Sequence, residues 1–505
     1  MAIYKITGIT LYLLILLGIG IVASRRMDDI EEYFAAGKKL SFIPVAFSAR
    51  ASGESAWLLL GLTGMGAALG VKAFWVVLGE FLGVAGAWLL MSRRFKRLTD
   101  RWDSITVPDY LESRFRDGDK QWIRMVAAFT LTVFVTIYVS AQIDATGKAF
   151  ETFLHWNYYT GAVVGFAVVL AYITFGGFLA VAWSDVFQGI LMFLGLVVLP
   201  IVGLIAAGGF GEVTSGLHAI DPNLLSATGG KGWTAVSIAE ILSLGLIGLG
   251  FLGSPQVFVR FIALRDEREI SIGATVAMVW TLLADAGAVL TGMVGRHLLS
   301  EPGQGLTKVL GESGEDVLPM LVGELMPAFL VGLYIAIVLA AIMSTIDSLL
   351  VVAGSAAVRD FYQKILHPDL SNDELVSMSR TVTASLALAA LGIALTVAVT
   401  TPGRTVFWFV IFGWSGIAST FCPTIILSLF WTKFTRRGAL AAMIFGFLGV
   451  PLFKFAAPHL PAVGDFFAAL GELPAAFSLS FLAGILFSLS DPAGQRRLDD
   501  LKLDV

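Results

Sequence analysis

The segment Arg50-Ala-Ser-Gly-Glu54-Ser-Ala lies inside an apolar stretch, with Leu40 to Phe47 before it and Trp57 to Ala68 after it. Two full charges, a glycine and two serines near the middle of such a stretch rule out a plain hydrophobic helix. Ionisable groups at membrane depth are costly and mark a pathway or a binding site. Glycine and serine beside them predict an interrupted helix, which is tolerated in a membrane only where backbone lines a cavity or is buried in protein.

Composition makes the membrane reading general. Of 505 residues, 57% are hydrophobic and 14% charged, against about a quarter charged in ordinary soluble domains. Apolar runs of roughly 18 residues or more predict about thirteen spans, at 7–24, 41–70, 73–92, 122–151, 158–177, 179–207, 233–259, 270–298, 322–358, 379–400, 403–432, 437–456 and 469–490. The expected fold class is an all-α membrane protein with no soluble domain between spans. The first run is not a cleavable signal, because it lacks a basic leader and is followed by Arg25 and Arg26. The single cysteine, Cys422, excludes a disulfide framework, a zinc site and thiol chemistry. A net charge of −4 without a basic block gives nucleic acid no footprint.

Connections 25–39, 93–124, 260–268, 359–380, 433–437 and 496–502 hold about 25 of the 34 Lys and Arg. By the positive-inside rule these are cytoplasmic, with the N-terminus outside and the C-terminus inside. In the longest of them, Val107-Pro-Asp before Tyr-Leu-Glu predicts a short amphipathic helix at the membrane surface. The break near 50–54 has a counterpart at Gly245-Leu-Ile-Gly-Leu-Gly250-Phe-Leu-Gly-Ser-Pro255-Gln. Each opens a group of about five spans, and the two start from opposite sides. Paired interrupted spans in opposed halves point to an inverted-repeat transporter with a site at the midplane. The division is 1–40 (first span and linker), 41–207 (first five-helix repeat), 232–432 (second, inverted repeat) and 433–505 (C-terminal spans and tail).

The intramembrane charges are Arg50, Glu54, Asp144, Asp185, Asp285 and Asp347. Arg50 and Glu54 stand i, i+4 and can neutralise each other. Asp144 and Asp285 fit the external ends of their spans, facing water. Asp185 and Asp347 are harder to assign to structure. Ser344 and Ser348 share a helical face near Asp347. A hard monovalent cation wants five or six oxygens, which hydroxyls, freed carbonyls and a carboxylate can supply. The alternative for Ser344 and Thr345 is a hydroxyl bonded back to a carbonyl one turn earlier.

These segments, in order, resemble the sodium:solute symporter family, and within it the sodium/proline symporter group. The resemblance rests on Ala51-Ser52 with Ser55-Ala-Trp57-Leu-Leu-Leu-Gly61-Leu, Val107-Pro-Asp-Tyr110-Leu-Glu-Ser-Arg-Phe115 and Thr136-Ile-Tyr138. It continues through Gly176-Gly-Phe-Leu-Ala-Val-Ala-Trp-Ser-Asp185, Gly248-Leu-Gly250-Phe-Leu-Gly253-Ser-Pro255 and Ala340-Ala-Ile-Met-Ser344-Thr345, covering about 7–456. It implies a LeuT-like fold of five plus five helices, the first helix of each repeat broken, and alternating access driven by sodium. The implied sodium site uses carbonyls of Ala51, Glu54 and Ala341 with hydroxyls of Ser344 and Thr345. A second cation site, present in part of the family, would use Asp185, Ser344, Asp347 and Ser348. Substrate contacts would fall on Ser55, Trp57, Tyr138, Ile247 and Phe251.

The chain departs from the proline pattern at three points. Gly53, followed by Glu54, replaces a sodium-linked aspartate; Ile247 and Phe251 replace a tryptophan and a tyrosine; and Arg50 is additional. Arg50 either meets a substrate carboxylate bidentately or is held by Glu54. The resulting expectation is a sodium-coupled importer of a small organic solute, an amino acid (proline-like) or related carboxylate, in the lipid bilayer of a bacterial inner membrane. Sodium is its coupling ion, and it needs no enzymatic chemistry, no cofactor and no obligatory protein partner. The competing readings are a proton-coupled transporter using Glu54, Asp185 or Asp347, a passive channel, and a membrane-embedded solute sensor.

Overall fold

The computed structural model describes residues 2–24, 35–118, 121–173, 178–367 and 371–498. Gly176 and Gly177 lie outside the described residues. So do most of the basic connection at 25–39, with Arg25 and Arg26, and the tail beyond 498.

The described chain is helical, with one isolated backbone bridge between Leu40 and Leu264. The helices that build the centre are α1 (Ala2–Ser24), α2 (Phe42–Ala56), α3 (Thr63–Leu69), α4 (Phe74–Ala85), α5 (Trp122–Leu154), α6 (Phe178–Ala206), α7 (Ala235–Gly245), α8 (Pro255–Ala263), α9 (Ile270–Leu299), α10 (Ala328–Ser355) and α11 (Val406–Phe430). Ten helical runs are long and apolar enough to cross a bilayer, and two shorter apolar helices accompany them at Thr7–Ala23 and Tyr158–Leu170. This differs from thirteen for two reasons. Those two helices fall short on length. The expected spans 41–70 and 73–92 join in one 60-residue run, Phe42–Arg101. At ~1.5 Å per residue that run is ~90 Å long, about three hydrocarbon thicknesses. It is divided at Gly70, where φ is +58° and a β-carbon would meet the Leu224 carbonyl oxygen at 1.9 Å. Only glycine fits that position.

Lipid-facing surfaces follow helical spacing. On α6, Leu194, Val198, Ile201 and Ile205 are exposed along one stripe, while Met192, Leu196 and Leu199 are buried. In contrast α10 is buried almost throughout from Val331 to Ser355. It packs on α1, α2, α5 and α6, so the apolar solvent of this helix is protein. The ends of the two broken runs are tied together. Leu40 N donates to Ala263 O at 3.0 Å, Arg265 N donates to Leu40 O at 2.8 Å, and Phe42 N donates to a Glu269 carboxylate oxygen at 2.7 Å. The chain entering α2 and the chain leaving α8 therefore share one fixed point.

The expected helix at Val107–Phe115 forms, capped by Thr106, whose hydroxyl accepts from Asp109 N at 3.1 Å. It is not a surface helix. Tyr110, Leu111, Arg114 and Phe115 are buried. Arg114 donates to the carbonyls of Ser428 at 3.0 Å and Trp431 at 3.2 Å, which satisfies the C-terminal end of α11. Asp109 binds Arg124 at 2.7 Å and Arg359 at 2.5 Å, and Arg124 also reaches Asp360 at 2.8 Å. Charges read as solvated cytoplasmic ones are thus a buried network joining α5 to the end of the run that begins with α10.

Burial alone would raise the Asp109 carboxyl, but Arg359 and Arg124 more than offset it and hold it below its ordinary value. The folded protein then favours the ionised form. That contribution is complete above the unfolded carboxylate value of about 3.9 and is lost as pH falls below it toward the lower folded value. Asp109→Asn should cost about 3 kcal/mol at pH 7, at the low end for a broken buried pair because Asp360 remains. Thermal unfolding in detergent checks this. The gap between native and variant protein should narrow below about pH 4, and equal midpoints at pH 7 would reject the network as a stabilising element.

Candidate ion and substrate site

Helix α2 is broken near its end, where Ser55 adopts φ 60° and ψ −168°. A left-handed non-glycine residue costs about 1–3 kcal/mol, so neighbours must hold it. Gln142 of α5 does so. Its amide oxygen accepts from Ala56 N at 3.1 Å and its amide nitrogen donates to Ser55 Oγ at 3.2 Å. Tyr138, one turn earlier, reaches Ser55 Oγ at 3.5 Å. The run resumes through a π-helical turn, Trp57–Leu62, and Trp57 Nε1 donates back to Gly53 O at 3.4 Å. The second interruption spans Ile247–Phe251 between α7 and α8, with Pro255 restarting the helix.

On one side of the first break, Ser344 Oγ lies 3.0 Å from Ala51 O and 3.1 Å from Ala341 O. Thr345 Oγ1 lies 3.4 Å from Ser52 O and 3.2 Å from Ala341 O. Both hydroxyls bond back along α10 and also reach across to α2. Ala51, Ala341, Ser344 and Thr345 thus converge. Glu54 follows on α2, and its carboxylate belongs to a separate cluster.

Deeper along the same α2–α10 contact, Asp185 accepts from Ser48 at 2.6 Å and Ser52 at 3.2 Å. Ser52 and Ser348 hydroxyls are 2.7 Å apart, and Asp347 accepts from Ser348 N at 2.6 Å. Among them sits the guanidinium of Arg260. It donates to Ser348 at 2.5 Å, Ser52 at 2.6 Å and Ser48 at 3.0 Å, lies 3.4 Å from Asp185, and also meets the Gln256 carbonyl. Arg260 was expected in the cytoplasmic connection 260–268. The structure carries α8 on to Ala263 and buries Arg260 completely. Pro255 as a helix start, with two buried aspartates needing a cation, was the signal available in sequence.

The other cluster surrounds Arg50. Its guanidinium pairs with Glu54, lies 3.9 Å from Glu80, and stacks on Phe251 at 4.8 Å and Trp280 at 5.4 Å. Glu80, missed among the intramembrane charges, and Asp285 complete it. Asp285 and Asp144, both read as water-facing, are fully buried. Asp144 is instead bound by Arg404 Nε at 2.8 Å and by the Tyr158 hydroxyl at 2.6 Å, because the 401–405 turn folds back over α5.

Aromatic side chains line the breaks. Trp414 of α11, unforeseen in sequence, donates from Nε1 to Ile247 O at 3.0 Å. Its ring lies 5.0 Å from Phe251 and 6.4 Å from Tyr138. Trp57 meets Phe407 edge-on at 6.0 Å. Gly53 and Phe251 belong together, since a β-carbon on residue 53 would meet the Phe251 ring at 2.6 Å. Lost aromatic surface at Ile247 is thus replaced from another helix.

A broken helix with hydroxyls across from its carbonyls and an aromatic wall beside it is transporter architecture, and comparison with known proteins agrees. A sequence model of the Sodium:solute symporter family matches residues 33–446. The High-affinity proline transporter PutP of Bacillus subtilis (strain 168) is 35% identical over 483 residues, 95% of this chain and 97% of that one. The Sodium/proline symporter of Escherichia coli (strain K12) is 32% identical over 440 residues, 86% of this chain and 85% of its own. The fold matches a Na+-coupled sialic acid symporter in a substrate-bound outward-open state, with TM-score 0.78, 18% identity, and coverage of 96% and 97%. It also matches MhsT in complex with L-phenylalanine, with TM-score 0.55, 15% identity, and coverage of 90% and 99%. The chain is an integral membrane protein of LeuT-like fold, and it belongs to the sodium:solute symporter family.

Proposed function

We propose that this symporter imports proline or a close relative together with sodium, across a bacterial inner membrane, with its N-terminus outside and C-terminus in the cytoplasm. The observation that carries the reading is the convergence of Ala51, Ala341, Ser344 and Thr345 at the break, directly beside the aromatic wall. Carbonyls and hydroxyls are the ligands a hard cation takes. Glu54 completes the set through its carbonyl. Tyr138, Trp57, Phe251 and Trp414 suit a small solute with an apolar ring, and Ser55 adds a hydroxyl. Two of the relatives above carry proline transport in their names.

Coupling needs no covalent step. Ion and solute favour the same conformation, and each then raises the other's affinity by the same factor. A potential of 100 mV adds about 2.3 kcal/mol per charge carried inward.

At Asp185, Asp347, Ser344 and Ser348, the proposed second cation site, we assign the cation to the Arg260 guanidinium. A tethered cation there competes with a mobile one. Arg50, enclosed by carboxylates and rings, organises its cluster in preference to gripping the solute's carboxylate.

Two outcomes follow. Ser344→Ala/Thr345→Ala should weaken sodium activation of proline binding at least tenfold, about 1.4 kcal/mol per factor of ten. Thermal-shift titration of purified protein with proline, with and without sodium, measures it, and unchanged sodium dependence would reject the site. Arg260→Ala should destabilise by about 3–5 kcal/mol by leaving Asp185 a buried unpaired charge, and Asp185→Asn in the same chain should recover part of the loss. No recovery in the double variant would show that the two do not act as a pair.

A further inference from the structure

Glu54, Glu80 and Asp285 come from α2, α4 and α9, and each offers a carboxylate oxygen within 4.8 Å of the others. All three side chains are buried, at 0%, 1% and 0% exposure. Arg50 is the basic group paired with them among the described residues. Three carboxylates against one guanidinium leave two negative charges uncompensated when all are ionised. A second observation is independent of that count. Both oxygens of Asp285 lack any hydrogen-bond partner although the side chain is fully buried, and Oε2 of Glu80 lacks one too. Buried acceptors of this kind call for a partner. Carboxylates brought together in apolar surroundings need a cation or a proton between them.

The donor set selects the kind of cation. Carboxylate oxygens are hard ligands. Arg50 is held between Phe251 and Trp280, so its place against Glu54 is fixed and the vacant charge falls to Glu80 and Asp285.

We propose that Glu54, Glu80 and Asp285, organised by Arg50, form a separate binding site for a hard metal cation, with sodium as its occupant. The inference rests on the sodium-coupled reading above and adds an ion to it. Residue 54 then serves two sites, its carbonyl on the Ser344 side of the break and its carboxylate on the Glu80 side. The position next to Ser55 would let one ion's arrival be felt by the other.

Equilibrium binding of sodium-22 to purified, sodium-depleted protein in detergent tests it. Unaltered protein should bind about two sodium ions, and Glu80→Gln or Asp285→Asn should each bind one fewer. Ser344→Ala/Thr345→Ala should lose the other ion and keep the one at the carboxylates. Equal counts in unaltered protein and in variants that remain monodisperse on size exclusion would overturn the proposal, leaving the acids to share protons. If the variants do not fold, the unaltered protein decides, since a count of one overturns the proposal. A count of zero with sodium-independent uptake would instead remove sodium coupling itself.

Discussion

The structure depends on one unpaid hydrogen-bond account. Opening a helix at Ser55 inside an apolar slab frees carbonyls and N–H groups that water cannot reach, and each unsatisfied group costs several kcal/mol. Gln142 takes an N–H, Trp57 returns a donor to Gly53, and Ser344 and Thr345 face the carbonyls of Ala51 and Ser52. Satisfying the break therefore fixes where α5 and α10 must lie. The same need produces a site, because carbonyls held by weak hydroxyl donors are groups that a hard ion can claim.

Charge is placed by the same logic. Buried charges are tolerated only when paired and hydrogen-bonded, and this core contains two such groupings on opposite sides of α2. Around Arg260 the serines of α2 and α10 satisfy the guanidinium, while one oxygen each of Asp185 and Asp347 is left over. Around Arg50 those serines are absent, and oxygens of Asp285 and Glu80 are left over. The two groupings differ in charge balance, because one guanidinium meets two carboxylates at Arg260 and three at Arg50.

Selectivity at the solute side illustrates compensation across the fold. Gly53 gives up a side chain and admits Phe251; Ile247 gives up an aromatic face and Trp414 supplies one through a hydrogen bond to the Ile247 carbonyl. Read one by one, these departures from the proline pattern remove side chains from the site. Taken together in space they keep an aromatic wall in a changed arrangement.

The chain's own pattern determined the membrane class, the two breaks and the proximity of Arg50 to Glu54, because hydrophobic run length, glycine and serine at depth, and i, i+4 spacing are local; which partner Arg50 takes was left open. It also carried the motif order that identifies the family. Tertiary structure decided what local pattern cannot encode. Arg260 looked like a loop cation until α8 proved one turn longer and turned it inward. Asp144 and Asp285 looked water-facing until Arg404 and the α2–α4–α9 packing enclosed them. Gln142, Trp414 and Glu80 carry no special spacing along the chain, and they acquire a role only from what stands opposite them. Burial and partnership are properties of helix packing between residues distant in sequence, and that is where the site was assembled.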